Sequence, residues 1–143
     1  MDDLSAPAND LLDLVALVIR DLAGSRDLSL TAVATLSSLD RRGAQRITTL
    51  AVAEGVSQPS MTQLVQRLEQ RGLVRRESDP ADGRVALVQL TESGQAALLT
   101  RRQRNAERIA ALLGDLPDSD VQALADALAC VLPAMRAKVG SAS

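Results

Sequence analysis

The chain has 143 residues, 46% of them hydrophobic and 24% charged, with a net charge of −2; these totals suit one globular domain with a sizeable core. It contains no Phe, Tyr, Trp or His and a single cysteine, Cys130. That composition excludes base stacking on aromatic rings, imidazole acid–base chemistry, histidine metal ligands, an intrachain disulfide and a cysteine-based zinc site.

Charge is unevenly spread. Residues 1–40 carry two arginines against seven acids, residues 41–108 twelve arginines against seven acids, and residues 109–143 two bases against four acids. A basic block thus lies between acidic ends, and local rather than whole-chain charge governs phosphate binding. Chance segregation of solvated charge is the plain alternative. The apolar runs are short and broken by charge, so neither a signal peptide nor a membrane span is expected; the reading is a cytoplasmic protein.

Met1 to Pro7 reads as a loose terminus. Asn9 or Asp10 is expected to cap a first helix, residues 8–24, stopping near Gly24. Its Leu11, Leu12, Leu14, Val15, Leu17, Val18, Ile19 and Leu22 cover more than one face, which asks for more than one packing partner. A helix wholly buried in a monomer core would need the same pattern. After Ser29, Leu30 to Leu39 reads as a second helix broken by Asp40-Arg41-Arg42-Gly43. Ile47 to Glu54 is a short third helix ended by Gly55.

The next stretch, SQPSMTQLVQRLEQRG from Ser57 to Gly72, is the most informative. Met61, Leu64, Val65 and Leu68 fall at i, i+3, i+4 and i+7, on one side of a helix. Ser60, Thr62, Gln63, Gln66, Arg67, Gln70 and Arg71 fall on the other, with Glu69 at its margin. Amides and guanidinium groups are the side chains that make paired hydrogen bonds to base edges in a major groove. Ser57 or Gln58 caps the start, Pro59 lies in the first turn where its missing N–H costs nothing, and Gly72 supplies the stop. Short helix, glycine-containing turn and polar-faced helix make a helix-turn-helix.

Leu73 and Val74 open a strand, and Val85, Leu87, Val88 and Leu90 make another; Asp79-Pro80 and Asp82-Gly83 are turn residues between them. A hairpin carrying Arg75, Arg76 and Arg84 directly after a helix-turn-helix reads as a wing, its arginines suited to a minor groove. An ordinary hairpin with solvated arginines is the alternative. Thr91-Glu92-Ser93-Gly94 opens a long helix, residues 92–113, ended by Gly114 and Pro117. Asp118 or Ser119 caps a last helix, residues 118–138, in which Pro133 should loosen the backbone. Cys130, among Ala127, Leu128, Ala129 and Val131, is expected to be a buried, inert thiol. GSAS is a frayed tail.

The run ITTLAVAEGVSQPSMTQLVQRLEQRGLVRRESDPADGRVALVQLTESG resembles the MarR family of bacterial transcription regulators, most specifically in RLEQRGLVRR, DPADGR and VQLTESG. The resemblance is close over about Ile47 to Gly94 and is by pattern and length in the flanking helices. It implies a mainly α fold with a small β-hairpin wing: a winged helix-turn-helix over residues 30–90 and terminal helices that interlock in a homodimer. It further implies binding to a pseudo-palindromic double-stranded operator, with relief by a small anionic or apolar effector. By position, Ser57, Gln58, Ser60, Thr62, Gln63, Gln66, Arg67 and Arg75 fall among the DNA contacts. Arg84 falls at the minor-groove arginine, and Asp82 where a carboxylate holds it. Gln63 departs from the arginine found in many members, which shifts preference from guanine toward adenine. No aromatic side chain is present to stack on an effector; Arg20 or Arg46 could hold an anion. The cysteine of the family's peroxide-sensing branch is missing from the first helix. A winged-helix module that binds protein instead of DNA is the alternative, and its outer helix face would be apolar. No residue set for an enzyme is evident, and neither cofactor nor metal is expected.

Overall fold

The computed structural model describes residues 3–23 and 27–140. In chain order the elements are α1 (Ser5–Leu22), α2 (Leu30–Arg42), β1 (Gln45–Arg46), α3 (Ile47–Glu54), α4 (Gln58–Gln70), β2 (Val74–Ser78), β3 (Ala86–Leu90), α5 (Glu92–Gly114) and α6 (Asp118–Gly140). They divide into two compact units, Met1–Asn105 and Ala106–Ser143.

In the first unit, local chemistry sets most boundaries. Ser29 caps α2 by accepting the Ala32 N–H at 3.1 Å, and Gly43, at φ +80, ends it. The expected stop at Leu39 was early: Asp40, Arg41 and Arg42 stay helical, and the first residue to leave the right-handed region is Gly43. Gly55, left-handed at φ +64, ends α3 as expected. Asn9 and Asp10 do not cap α1. The helix starts at Ser5, so both lie inside it, and Pro7 fits the first turn because its N–H would have no helical partner anyway. The expected stop at Gly24 lies outside the described residues.

The core gathers apolar stripes from α2 (Ala32, Leu36, Leu39), α3 (Leu50, Ala51) and α4 (Met61, Leu64, Val65, Leu68), closed by Leu28, Leu73, Val74 and Val88. Each fully buried Leu, Val or Met contributes roughly 1.5–3 kcal/mol, so α4 is firmly seated by its four. The sheet is antiparallel in the order β1-β3-β2, one strand more than the expected hairpin. Gln45 and Arg46 pair with Val88 and Leu87. Two polar residues give no period-2 signal; the buried Gln45 amide holds them, donating to the Ser38 carbonyl and hydroxyl at 3.2 and 3.1 Å.

One junction joins the wing to α5. Thr91 donates its N–H to the Leu73 carbonyl (3.1 Å) and its hydroxyl to the Gly72 carbonyl (2.6 Å), while its oxygen accepts the Gly94 N–H (3.0 Å). Gly94 is buried against the same segment. A Cβ there would lie 2.1 Å from the Leu73 carbonyl oxygen and 2.6 Å from Leu90 Cδ1.

In the second unit, α6 begins at Asp118. The carbonyl of Pro117 accepts the Asp120 and Val121 N–H groups, and Asp118 and Asp120 stand as acids in the first turn. The helix continues through Pro133 to Gly140. Cys130 is exposed, not buried as expected, and no residue of α6 is fully buried within the single chain. In the first unit α1 likewise has no buried residue, although Leu11, Leu12, Leu14, Val15, Leu17 and Ile19 lie along it. Among the described residues no helix is long and apolar enough to cross a membrane.

Gly94→Ala is expected to destabilise the protein by about 2–3 kcal/mol, since its methyl meets backbone that cannot swing aside. Urea unfolding with an unchanged midpoint would show that the junction yields.

Candidate nucleic-acid interface

The site is built on α4. Ser57 accepts the Ser60 N–H at 3.3 Å and donates its hydroxyl to Ser60 Oγ at 2.8 Å, so both hydroxyls are fixed at the helix start. Pro59 sits in that first turn, as expected. At the other end Gly72, at φ +73, donates to the Glu69 carbonyl (2.9 Å), and Leu73 donates to Leu68 (3.0 Å), a Schellman closure. Burial of Met61, Leu64, Val65 and Leu68 turns the opposite face outward.

That face carries the side chains read from the sequence. Gln58, Ser60, Gln63, Gln66 and Arg67 are exposed, and Thr62 is half-buried with its hydroxyl donated to the Gln58 carbonyl at 2.9 Å. Among the described residues, the side chains of Gln58, Gln63, Gln66 and Arg67 make no hydrogen bond or ion pair. Their donors and acceptors therefore face solvent unsatisfied by protein, which is the state in which base edges and phosphates can take them up. The face is polar throughout and lacks the apolar or aromatic centre of a buried protein–protein interface.

Beside it stands the wing, β2 and β3 in register from Val74↔Leu90 to Ser78↔Ala86. Its arginines have three different settings. Arg75 reaches across the strands and donates Nε and Nη2 to Gln89 Oε1 at 3.0 and 2.8 Å. Arg76 pairs with Glu69 of α4 at 2.9 Å, tying the base of the wing to that helix. Arg84, in the loop between the strands, is 93% exposed. Asp82 Oδ1 accepts its backbone N–H at 3.1 Å and its Nε at 3.3 Å, the restraint expected of that carboxylate.

Arg46 has a partner that sequence reading did not supply. Its Nε and Nη2 both meet Asp79 Oδ2, at 2.8 and 2.6 Å. Asp79 Oδ1 accepts the Ala81 N–H at 2.8 Å. The Ala81 N–H and then the Arg46 guanidinium hold the Asp79 carboxyl below its ordinary value of 3.8. Arg20, the other candidate anion ligand, is exposed on α1, and no hydrogen bond or ion pair joins it to Arg46. A separate cavity of about 330 Å³ is lined by Asp27, Leu28, Arg71, Ala96, Arg101 and Arg104, among others. Arg71 donates to the Asp27 carbonyl (2.7 Å) and Arg104 approaches its carboxylate (3.4 Å). Half-buried Arg101 has no polar partner among the described residues. No group of three potential metal ligands occurs among the described residues.

The arrangement matches known proteins. A family model described as MarR family matches residues 28–86. Over 92 residues the chain is 39% identical to the HTH-type transcriptional regulator Mb0904 of Mycobacterium bovis, covering 62% of this chain and 64% of that protein. Over 74 residues it is 39% identical to the HTH-type transcriptional repressor NicR of Pseudomonas putida, covering 50% and 47%. The chain thus matches a little under two thirds of the length of the first of these and about half of the second. In fold it is similar to the transcriptional regulator Tm0710 of Thermotoga maritima (TM-score 0.75, 23% identity, covering 95% of this chain and 99% of that one). It is also similar to RV1404 of Mycobacterium tuberculosis (TM-score 0.73, 23% identity, covering 98% and 96%).

A depressed Asp79 pKa stabilises the fold at pH values above about 3.8, and that contribution is lost as pH falls through the lower folded-state value. Asp79→Asn should therefore have a lower urea midpoint than the parent at pH 5 to 7, the gap closing as both are taken toward pH 2. A gap of constant size across that range would mean that the charge on Asp79 is not what matters.

Proposed function

We propose that this chain, whose residues 28–86 match a MarR family model, is a sequence-specific, double-stranded-DNA-binding transcriptional regulator of that family, acting as a homodimeric repressor in the cytoplasm. The observation that carries this reading is the outward face of α4, whose amide and guanidinium groups have no protein partner, beside a wing that projects Arg84. Gln63, Gln66 and Arg67 read base edges in the major groove; Ser57, Gln58, Ser60 and Thr62 hold phosphates near the helix start; Arg84, steadied by Asp82, enters the flanking minor groove, with Arg75 on the strand behind it.

Two copies set two such heads on the two halves of a pseudo-palindromic operator. The apolar, unburied surfaces of α1 and α6 are what a second copy would cover. A small organic anion as effector is supported by the cavity beside Arg71, Arg101 and Arg104, where a guanidinium without a partner lies next to the apolar Leu28 and Ala96. No catalytic role is assigned: the chain lacks histidine, and the family is one of regulators.

Selection of bound duplexes from a random pool tests the reading directly. Enrichment of a palindrome with half-sites about one helical turn apart supports it; absence of any enrichment at low salt overturns it.

On the selected site, Arg84→Ala should weaken binding about tenfold and lower the slope of log affinity against log salt by about 1, because one groove-held cation is lost. An unchanged slope and affinity would remove Arg84 from the interface. Gln63→Ala should cost roughly 1–3 kcal/mol on the selected site and little on random DNA. Equal losses on both would make Gln63 a backbone contact.

A further inference from the structure

We propose that Arg46 is a positioning residue for the wing: it fixes the loop that carries Arg84 against the helix-turn-helix without being a groove contact itself. This role rests on the DNA-binding reading above and adds to it a residue outside both the recognition face and the wing.

The backbone of Arg46 is held from two sides. It pairs with Leu87 of β3, and it is the N-cap residue of α3 at φ −72, ψ 150. From this fixed point two guanidinium nitrogens converge on one oxygen of Asp79, 33 residues further along the chain. The other oxygen of the same carboxylate binds the Ala81 N–H inside the loop. Asp79 is thus a joint, with one oxygen on the scaffold and the other on the wing.

The loop beyond it is closed by its own bonds. The Asp79 N–H donates to the Val85 carbonyl (2.9 Å) and the Val85 N–H to the Asp82 carbonyl (3.0 Å). Asp82 then holds Arg84. Bonds of this kind make the loop stiff but do not say where it points. A stiff loop on two strand ends can still swing as a body; the Arg76–Glu69 pair holds only the base of the wing, and the Arg46–Asp79 pair, at the loop itself, opposes the swing there. The pair is 44% exposed on the Arg46 side and 9% on the Asp79 side, so water and salt screen it less than a pair on the open surface. With Nε and Nη2 both on Asp79, Arg46 is poorly placed to hold a separate anion. Holding Arg84 in its bound position before DNA arrives lowers the ordering cost of binding.

The test is a double-mutant cycle on the selected duplex, read by fluorescence anisotropy, with Arg46→Ala, Arg84→Ala and the double variant. Circular dichroism melts establish that each is folded. If Arg46 acts through Arg84, Arg46→Ala weakens binding roughly three- to tenfold in the parent but less than about twofold once Arg84 is already alanine. Asp79→Asn, whose amide oxygen can still accept the Ala81 N–H, should reproduce the Arg46→Ala pattern, and it replaces that variant if Arg46→Ala does not fold. Equal losses from Arg46→Ala in both backgrounds, or a full-affinity Asp79→Asn, overturn the positioning role while leaving the DNA-binding reading intact. An Arg84→Ala protein that binds like the parent instead overturns the wing as a DNA contact, and the role of Arg46 with it.

Discussion

The burial of one stripe, Met61, Leu64, Val65 and Leu68, is the constraint on which the rest of this structure depends. A helix has one rotational setting about its axis, and sinking these four side chains into the core against α2 and α3 fixes it. Everything on the opposite face then points to solvent by geometry, not by preference. The polar face of α4 is therefore positioned by apolar residues that never meet a ligand. Small errors in the stripe would turn the face: consecutive side chains on a helix stand about 100° apart, so a shift of one position would bring Gln63 or Gln66 toward the core.

Around that helix the polar bonds act at its ends and edges. Ser57 and Gly72 define where it begins and stops. Glu69 ties it to the base of the wing through Arg76, and Thr91 draws the carbonyls of Gly72 and Leu73 onto the start of α5. Gly94 permits that close approach because it has no Cβ. The end of α4, the wing and the start of α5 thus meet within a few residues of one another. A change in the direction of α5 would be felt at the end of α4 through backbone hydrogen bonds that leave little slack.

The two terminal helices show the opposite design. Neither α1 nor α6 has a fully buried residue within the chain, although they carry leucines, valines and isoleucine or methionine. Apolar surface of this extent is costly to leave in water, which is why a second copy of the chain is the natural cover in the proposed dimer. The exposed Cys130 follows from the same arrangement: its surroundings in sequence are apolar, but apolar neighbours on one helix do not bury one another.

The bounds of α3, the cap and stop of α4, the start of α2, the opening of α5 at Thr91 and the polar face from Gln58 to Arg67 were legible in the sequence alone. Each rests on hydrogen bonds or periodicities that span a few residues, where residue type decides the outcome. The start of α1 misled because Asn9 and Asp10 are good caps wherever they stand, and the helix simply began earlier. The tertiary structure alone decided β1, the crowding at Gly94, the exposure of Cys130 and the partner of Arg46. Those depend on segments far apart in the chain: with fifteen arginines and eighteen acids present, composition permits many ion pairs, and only the folded backbone selects Arg46 with Asp79.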